Sequence, residues 1–364
     1  MTDIFDVPGW IILSSRLDTG IRTIEAEYAP PLQECTKCGV LGRLYRHGTK
    51  VVRYRDSPIQ DVHVQLAATV QRYRCRECGG TSLQALAGVD TARRMTQRCI
   101  RYIKAHCLRD SFSRLSEKIG CDEKTIRNIA GHYVTELAGS FQVYLPNWLG
   151  IDEVYIAGAW RCVLIDIGRN IPIDVLPDRG EHTLADWLHR FDDRSTTHGV
   201  VTNMQAPYSQ MANALLPAAP VVIDKSHVFQ MLNYSVDKAP TRLGEEALRF
   251  RQEFYALYDR SKMEVIPALE AWEEAVTSSP LQRYFRELLS ALKVWHEQIL
   301  AYFDHPITHG YTEVLNSMAK ELNRAGRGYS FDVQRARLLF SRSAHTSSPT
   351  GNSDLALGCS KPTN

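Results

Sequence analysis

From Trp148 to Asp224 the apolar positions fall in short β-branched and aromatic runs, whereas on either side they recur with helical spacing. Trp148–Ile156, Arg161–Ile167 and Ile171–Leu176 read as three strands, and the short Gly168-Arg169-Asn170 link predicts hairpin pairing. His182–Phe191 follows as a helix with Leu184, Trp187, Leu188 and Phe191 on one side. Gly199–Thr202 is a fourth strand ending at Asn203, Tyr208–Leu216 a second helix, and Val221–Asp224 a fifth strand. Beyond it, about Phe229 to Phe303, amphipathic runs carry Trp272, Phe285 and Trp295, positions that fit a core better than a DNA-stacking surface. Upstream, Val51–Arg55 and Val62–Leu66 alternate as strands, Thr91–Leu108 reads as an Arg-rich helix, and Phe112–Ile119 and Glu123–Ala130 form a helix pair around Gly120 and Asp122. Pro146 marks the boundary between the two patterns.

Three antiparallel strands followed by helix, strand, helix, strand is the order of a ribonuclease-H-like fold. The expected class is therefore α/β, a mixed sheet with a helical insertion. Asp152 lies in the middle of the first strand, where burying a carboxylate costs several kcal/mol unless a cation or hydrogen bonds compensate it. An exposed acid on an edge strand is the plain alternative. In this fold the fourth strand lies parallel to and beside the first, which brings Asn203 next to Asp152. A second carboxylate there would complete a site for two divalent ions. This chain has an amide instead.

Nine cysteines alter the picture of the front half. Cys35-Thr36-Lys37-Cys38 and Cys75-Arg76-Glu77-Cys78 are two CxxC knuckles, and four thiolates of this kind are what structural Zn2+ selects. The 36 residues between them exceed the usual ribbon spacing and imply a hairpin insert. A thioredoxin-like redox site uses one CxxC in a βαβ setting, which is not the pattern here. Cys99 and Cys107 read as packed thiols and His47 as a surface residue.

The net charge of +2 conceals an asymmetry: residues 35–135 hold 19 Lys and Arg against 8 Asp and Glu. A basic front with a zinc knuckle gives the helix pair at 112–130 the grammar of a DNA-binding helix-turn-helix. Lys124, Thr125, Arg127 and Asn128 then point to phosphates and base edges; an ordinary two-helix corner is the alternative. No basic segment followed by an apolar stretch opens the chain and no run of 18 apolar residues occurs, so a cytoplasmic protein with no membrane partner is expected.

Taken together these residues resemble the insertion-sequence transposases of the ISL-three type, within the DDE superfamily. The likeness covers roughly residues 30 to 340. It rests on the paired knuckle, the helix pair, Leu149-Gly150-Ile151-Asp152-Glu153, the Leu176–Arg179 turn, Asp224-Lys225-Ser226-His227 with Asn233, and His309–Asn316 followed by Lys320, Arg324, Gly328, Tyr329 and Arg337. The resemblance implies a catalytic trio of two Asp and one Glu acting on Mg2+. The first falls on Asp152, the last on Glu313, and the middle one on Asn203, which offers an oxygen but no charge. Asp224 with His227 matches a recurring Asp-x-x-His element of structural or DNA-positioning role. Lys320, Arg324, Arg327, Arg335 and Arg337 would hold the DNA strand; a solvated helix face is the alternative.

The expected organisation is an N-terminal segment 1–30, a zinc knuckle 31–85, a helix-turn-helix 90–140, a catalytic domain 147–340 with its insertion at 229–303, and a disordered Ser/Thr/Pro/Gly-rich tail 341–364. The implied function is a DNA transposase that binds terminal inverted repeats as a homodimer and cuts and joins double-stranded DNA. Three readings of Asn203 stay open: an inactive or repurposed copy, an engineered substitution, or a site in which Asp224 or Asp166 substitutes. A catalytically inactive DNA-binding regulator is therefore the rival reading, and a nonspecific nuclease a weaker one.

Overall fold

The computed structural model describes residues 9–308, 310–326 and 328–341, with 311–313 described as backbone only. The chain divides into two compact units, 1–140 and 141–364.

The first unit is built on a long hairpin, β3 (Leu44–Ile59) against β4 (Val62–Cys75). It contains both expected strands but runs much further, because Val64, Leu66, Ala68 and Val70 bury one face while polar neighbours alternate outward. β1 (Trp10–Asp18) and β2 (Ile21–Tyr28) extend the sheet, β2 lying parallel to β4. Within the expected N-terminal segment 1–30, Ile24 and Ala26 belong to the same core as the hairpin. β5 (Thr81–Leu83), β6 (Val89–Asp90) and β7 (Met95–Thr96) complete the unit's strands.

Three helices follow, α1 (Gln97–His106), α2 (Phe112–Ile119) and α3 (Glu123–Ser140). The expected helix from Thr91 starts only at Gln97, because Thr96 ends β7 and caps α1, its side chain accepting from Cys99 N. Cys99 and Cys107 are buried, as expected of packed thiols. Gly120 ends α2 in the left-handed region at φ 72°, and a Cβ there would stand 3.1 Å from the His63 ring. His63 bonds Glu117 O at 2.6 Å and Arg55 donates to Gly120 O at 2.7 Å, so the hairpin fixes this turn.

The second unit is a five-stranded sheet in the order β10-β9-β8-β11-β12, a ribonuclease-H-like mixed α/β fold. β8 (Trp148–Ile156), β9 (Ala159–Asp166) and β10 (Ile171–Val175) are antiparallel neighbours. β11 (Gly199–Thr202) lies parallel to β8 and β12 (Val221–Ile223) parallel to β11. Gly199 is required there: a Cβ would overlap the ring of its register partner Trp148. α4 (Glu181–Leu188) and α5 (Ala206–Leu215) cover one face through Leu184, Trp187, Leu188, Tyr208 and Ala212.

Helices α6 (Lys225–Asp237), α7 (Gly244–Leu257), α8 (Lys262–Thr277), α9 (Gln282–Val294) and α10 (His296–Asp304) form the insertion around their own core. Trp272 and Phe285 are buried in it and Trp295 packs against it. α11 (Gly310–Ala325) and α12 (Phe331–Phe340) return to the sheet, where Leu315, Ala319, Leu338 and Leu339 pack on Val154 and Ile156. Arg335 and Arg337, expected on a DNA-facing surface, are turned inward. Arg335 donates to buried Asp174 at 2.7 Å, and buried Arg337 lies over the Tyr329 ring. Arg327 and the tail from 342 lie outside the described residues.

Candidate active site

Register assembles the site. Thr202 of β11 pairs with Ile151 of β8, so the next residues, Asn203 and Asp152, stand side by side where β11 and the parallel pairing end while β8 runs on to Ile156. The carboxyl end of such a strand is where open α/β sheets place ligands. Asp152 is 4% exposed. Its Oδ1 accepts from Glu153 N at 2.8 Å and from Asn203 Nδ2 at 3.4 Å, with His227 Nε2 4.0 Å away. Its Oδ2 is buried without a hydrogen-bond partner, and so is Asn203 Oδ1. Two orphaned oxygens side by side are an arrangement that a cation or water would satisfy.

Asp224 follows β12 and caps α6, accepting from Ser226 N at 2.9 Å, and His227 follows one turn later. Asn203 and His227 also line a cavity of about 350 Å³ with Met204, Gln205, Gln230, Met231 and Tyr234. Asp166, weighed as a replacement acid, sits opposite Leu149, three residues along the strand from Asp152. It is already occupied: Tyr144 donates to it at 2.7 Å, and burial together with that bond pushes the Tyr144 hydroxyl up to about 12. Glu313 lies in the first turn of α11, the helix that packs on β8 through Leu315 and Ala319; its side chain lies outside the described residues. Lys320 and Arg324 are exposed on that helix.

Strand alternation sends Glu153 to the opposite face from Asp152. There Tyr208 donates to it at 3.2 Å and Arg179 approaches to 3.4 Å, around a second cavity of about 250 Å³. Burial, followed by the charges of Cys162 and Glu153, raises the Tyr208 hydroxyl well above its usual range. This cluster was not singled out from the sequence, although the period of two along β8 carries the signal.

In the first unit the two knuckles close on each other. Cys35 and Cys78 sulfurs are 3.7 Å apart, Cys38 and Cys75 sulfurs 3.8 Å, and all four lie within 4.8 Å. A tetrahedral Zn2+ with bonds of about 2.3 Å spaces its sulfurs about 3.8 Å apart, so the donor set fits. The backbone N–H groups of Cys38 and Lys37 pull the Cys35 thiol down to about 6, toward the thiolate a metal needs. On the helix pair, Lys124, Arg127 and Asn128 are exposed and Thr125 is half-buried. Thr125 Oγ1 donates to Asp122 at 2.8 Å and Arg127 pairs with Glu123 at 2.6 Å, so both are held by neighbours on their own helix end.

Comparison with known proteins finds matches in both units. A model of the ISL-three (ISL3) DDE transposases, described as "Transposase", matches residues 149–247 and 241–338. The chain belongs to the ISL3 transposase family. A second model, the zinc-finger of transposase IS204/IS1001/IS1096/IS1165, matches residues 31–78, so the four cysteines form the structural zinc site of an ISL3 zinc ribbon. The chain is 26% identical over 204 residues to the transposase for insertion sequence element IS1001 of Bordetella parapertussis. That stretch is 53% of this ISL3 transposase and 48% of the relative, so the alignment spans about half of each. Among the described residues no helix is long and apolar enough to cross a membrane.

Proposed function

We propose that this ISL3 transposase binds the terminal inverted repeats of an insertion sequence and cuts and joins DNA strands there by phosphoryl transfer. The reacting set is Asp152, Asn203 and Glu313. The observation that carries this reading is the pair of buried, unpartnered oxygens, Asp152 Oδ2 and Asn203 Oδ1, where β11 ends beside β8 in a DDE-family sheet. Hard oxygen donors of this kind fit Mg2+. When bound, Mg2+ supplies charge at the phosphate and makes water, for cutting, or a 3′-hydroxyl, for joining, a better nucleophile.

Asp152 contributes the fixed negative charge, held in place by Glu153 N. Asn203 contributes an oxygen only, and its Nδ2 faces Asp152 Oδ1, so the amide must turn to present Oδ1 as a ligand. The missing charge weakens metal binding and slows the reaction. Glu313 enters from α11, and Lys320 and Arg324 on the same helix hold the strand by its phosphates.

In the front half, α2 and α3 act as the helix-turn-helix of a 90–140 domain beside the 31–85 knuckle. Lys124, Arg127 and Asn128 reach the major groove, and Thr125, tied to Asp122, fixes the helix end. Two ends must be paired in transposition, so the acting species is a homodimer on double-stranded DNA in the cytoplasm, and 147–340 is the catalytic domain.

The experiment is Mg2+-dependent cleavage of a duplex carrying the element end, by the natural chain and by Asn203→Asp. A faster Asn203→Asp variant supports the reading. Equal rates sink the claim that Asn203 limits the chemistry. Tight end binding with no cleavage by either chain establishes the regulator instead.

A further inference from the structure

Beside the proposed reacting pair, one face of α6 lines a cavity. His227, Gln230, Met231 and Tyr234 recur at the i, i+3, i+4, i+7 spacing that puts side chains on one side of a helix, and all four line the cavity of about 350 Å³ together with Asn203, Met204 and Gln205. The stripe begins next to Asp152, whose Oδ1 is 4.0 Å from His227 Nε2, and Tyr234 stands two turns on, about 10 Å along the helix axis. Met204 and Met231 pack on the core of the helical insertion, which gives the cavity an apolar floor. Tyr234 is 54% exposed, and Lys238 Nζ lies over its ring, 3.9 Å from the centroid. Lys238 also pairs with Glu287 at 3.6 Å. Among the described residues that line the cavity, none is Lys, Arg, Asp or Glu. A ring face, two thioethers and the amides of Gln205 and Gln230 suit a flat, uncharged group with hydrogen-bonding edges better than a phosphate or an acidic peptide.

We propose that this stripe is a nucleobase site: the nucleotide next to the phosphate at Asp152 leaves the duplex stack and lays its base on Tyr234, with Gln205 and Gln230 at its edges. This rests on the reading of Asp152 and Asn203 as the reacting centre. Continuity favours a base over a protein partner, because Asn203 belongs both to the reacting pair and to the cavity wall, so a strand held at one passes the other. The volume is at the small end of the range of about 300–1,000 Å³ for small-molecule pockets, which suits one base rather than a folded segment. A base inside a stacked duplex hides both its faces. The site therefore takes only an unpaired or extruded nucleotide, and stacking on the tyrosine ring offsets part of the cost of unstacking. The transposase thereby favours ends whose last pair opens easily, independently of any groove contacts made by α3.

The test is photo-crosslinking of the zinc-loaded full chain, in Mg2+, to a duplex carrying the element end with 5-iodouracil placed in turn on either side of the scissile phosphate. Peptide mapping is expected to put the crosslink on Tyr234 for one of the two positions. In parallel, Tyr234→Ala is expected to weaken binding of the intact end at least about fivefold and to leave binding of an end made abasic at that position unchanged, while Tyr234→Phe behaves as the natural chain. A crosslink that maps elsewhere while end binding is intact, or a Tyr234→Ala loss equal on both duplexes, overturns the base site and leaves the reacting centre standing. Unchanged end binding by Tyr234→Ala with an altered oligomeric state also overturns it and assigns the stripe to a protein contact. Failure of the natural chain to prefer the end over an unrelated duplex defeats the reading of the reacting centre and the base site together.

Discussion

The zinc ribbon and the cation site proposed at Asp152 are built in opposite ways. The zinc ribbon takes its four ligands from two short turns, each CxxC arriving as a formed pair, and the hairpin only has to bring Leu44 opposite Cys75 to close the set. The proposed site takes Asp152 from within β8 and Asn203 from the end of β11, and nothing but the parallel register relates them. A site made of local pairs is coupled to its fold, because the loss of one thiolate leaves the hairpin base without its clasp. A site made by register is not. Asn is nearly the same shape as Asp, so the sheet accommodates Asn203 while the chemistry loses a charge.

That contrast can be broken at several points. The largest effect is expected at the ribbon: Cys75→Ser, or removal of zinc by a chelator, forfeits binding energy on the order of 10 kcal/mol and should abolish cooperative unfolding of residues 1–140. Zinc content and circular dichroism measure it, and a ribbon that melts normally without zinc would dissolve the distinction. Next comes Asp174→Ala, which strands half-buried Arg335 and the buried Trp187 indole and is expected to cost about 3 kcal/mol in urea unfolding. This acid shares the sheet with Asp152 but is structural, so its loss should be far more damaging to the fold than Asp152→Asn.

Gly120→Ala is smaller, about 1–2 kcal/mol, from the left-handed backbone and the approach to His63. A loss near zero would mean that the α2–α3 turn is not fixed by the hairpin. The smallest shift sharpens the comparison most. Without divalent metal, Asn203→Asp sets two carboxylates side by side and should destabilise the chain by about 1 kcal/mol, and Mn2+ should reverse the sign. Thermal melting with and without Mn2+ reads both.

Much of this was legible from residue patterns because it is local. Gly199–Thr202 coincides with β11, and Trp148–Ile156 with β8, since short β-branched runs bounded by turn residues leave few alternatives. β1 and β2 were missed: exposed Ile11, Leu13 and Leu17 blur the alternation, a bulge breaks the register between Ile12 and Ser14, and the parallel pairing with β4 is non-local. The start of α1 was placed too early because residues 91–96 turn and pair as β7, with Arg94 at φ 51°. Arg335 looked like a DNA contact because its partner Asp174 lies 161 residues away and no spacing announces it. Asp152 could be suspected from a strand with an acid in it. The meaning of Asn203 needed the topology, and the position of Glu313 came from the family resemblance alone.

Asp152 and Asn203, side by side where β11 ends, are proposed as the reacting centre, with charge at 203 limiting it. Mg2+-dependent nicking of an end-sequence duplex by the natural chain, Asn203→Asp and Asp152→Asn tests it most directly. Asn203→Asp is expected to cleave faster than the natural chain, and Asp152→Asn is expected not to cleave. Cleavage that survives Asp152→Asn would contradict it.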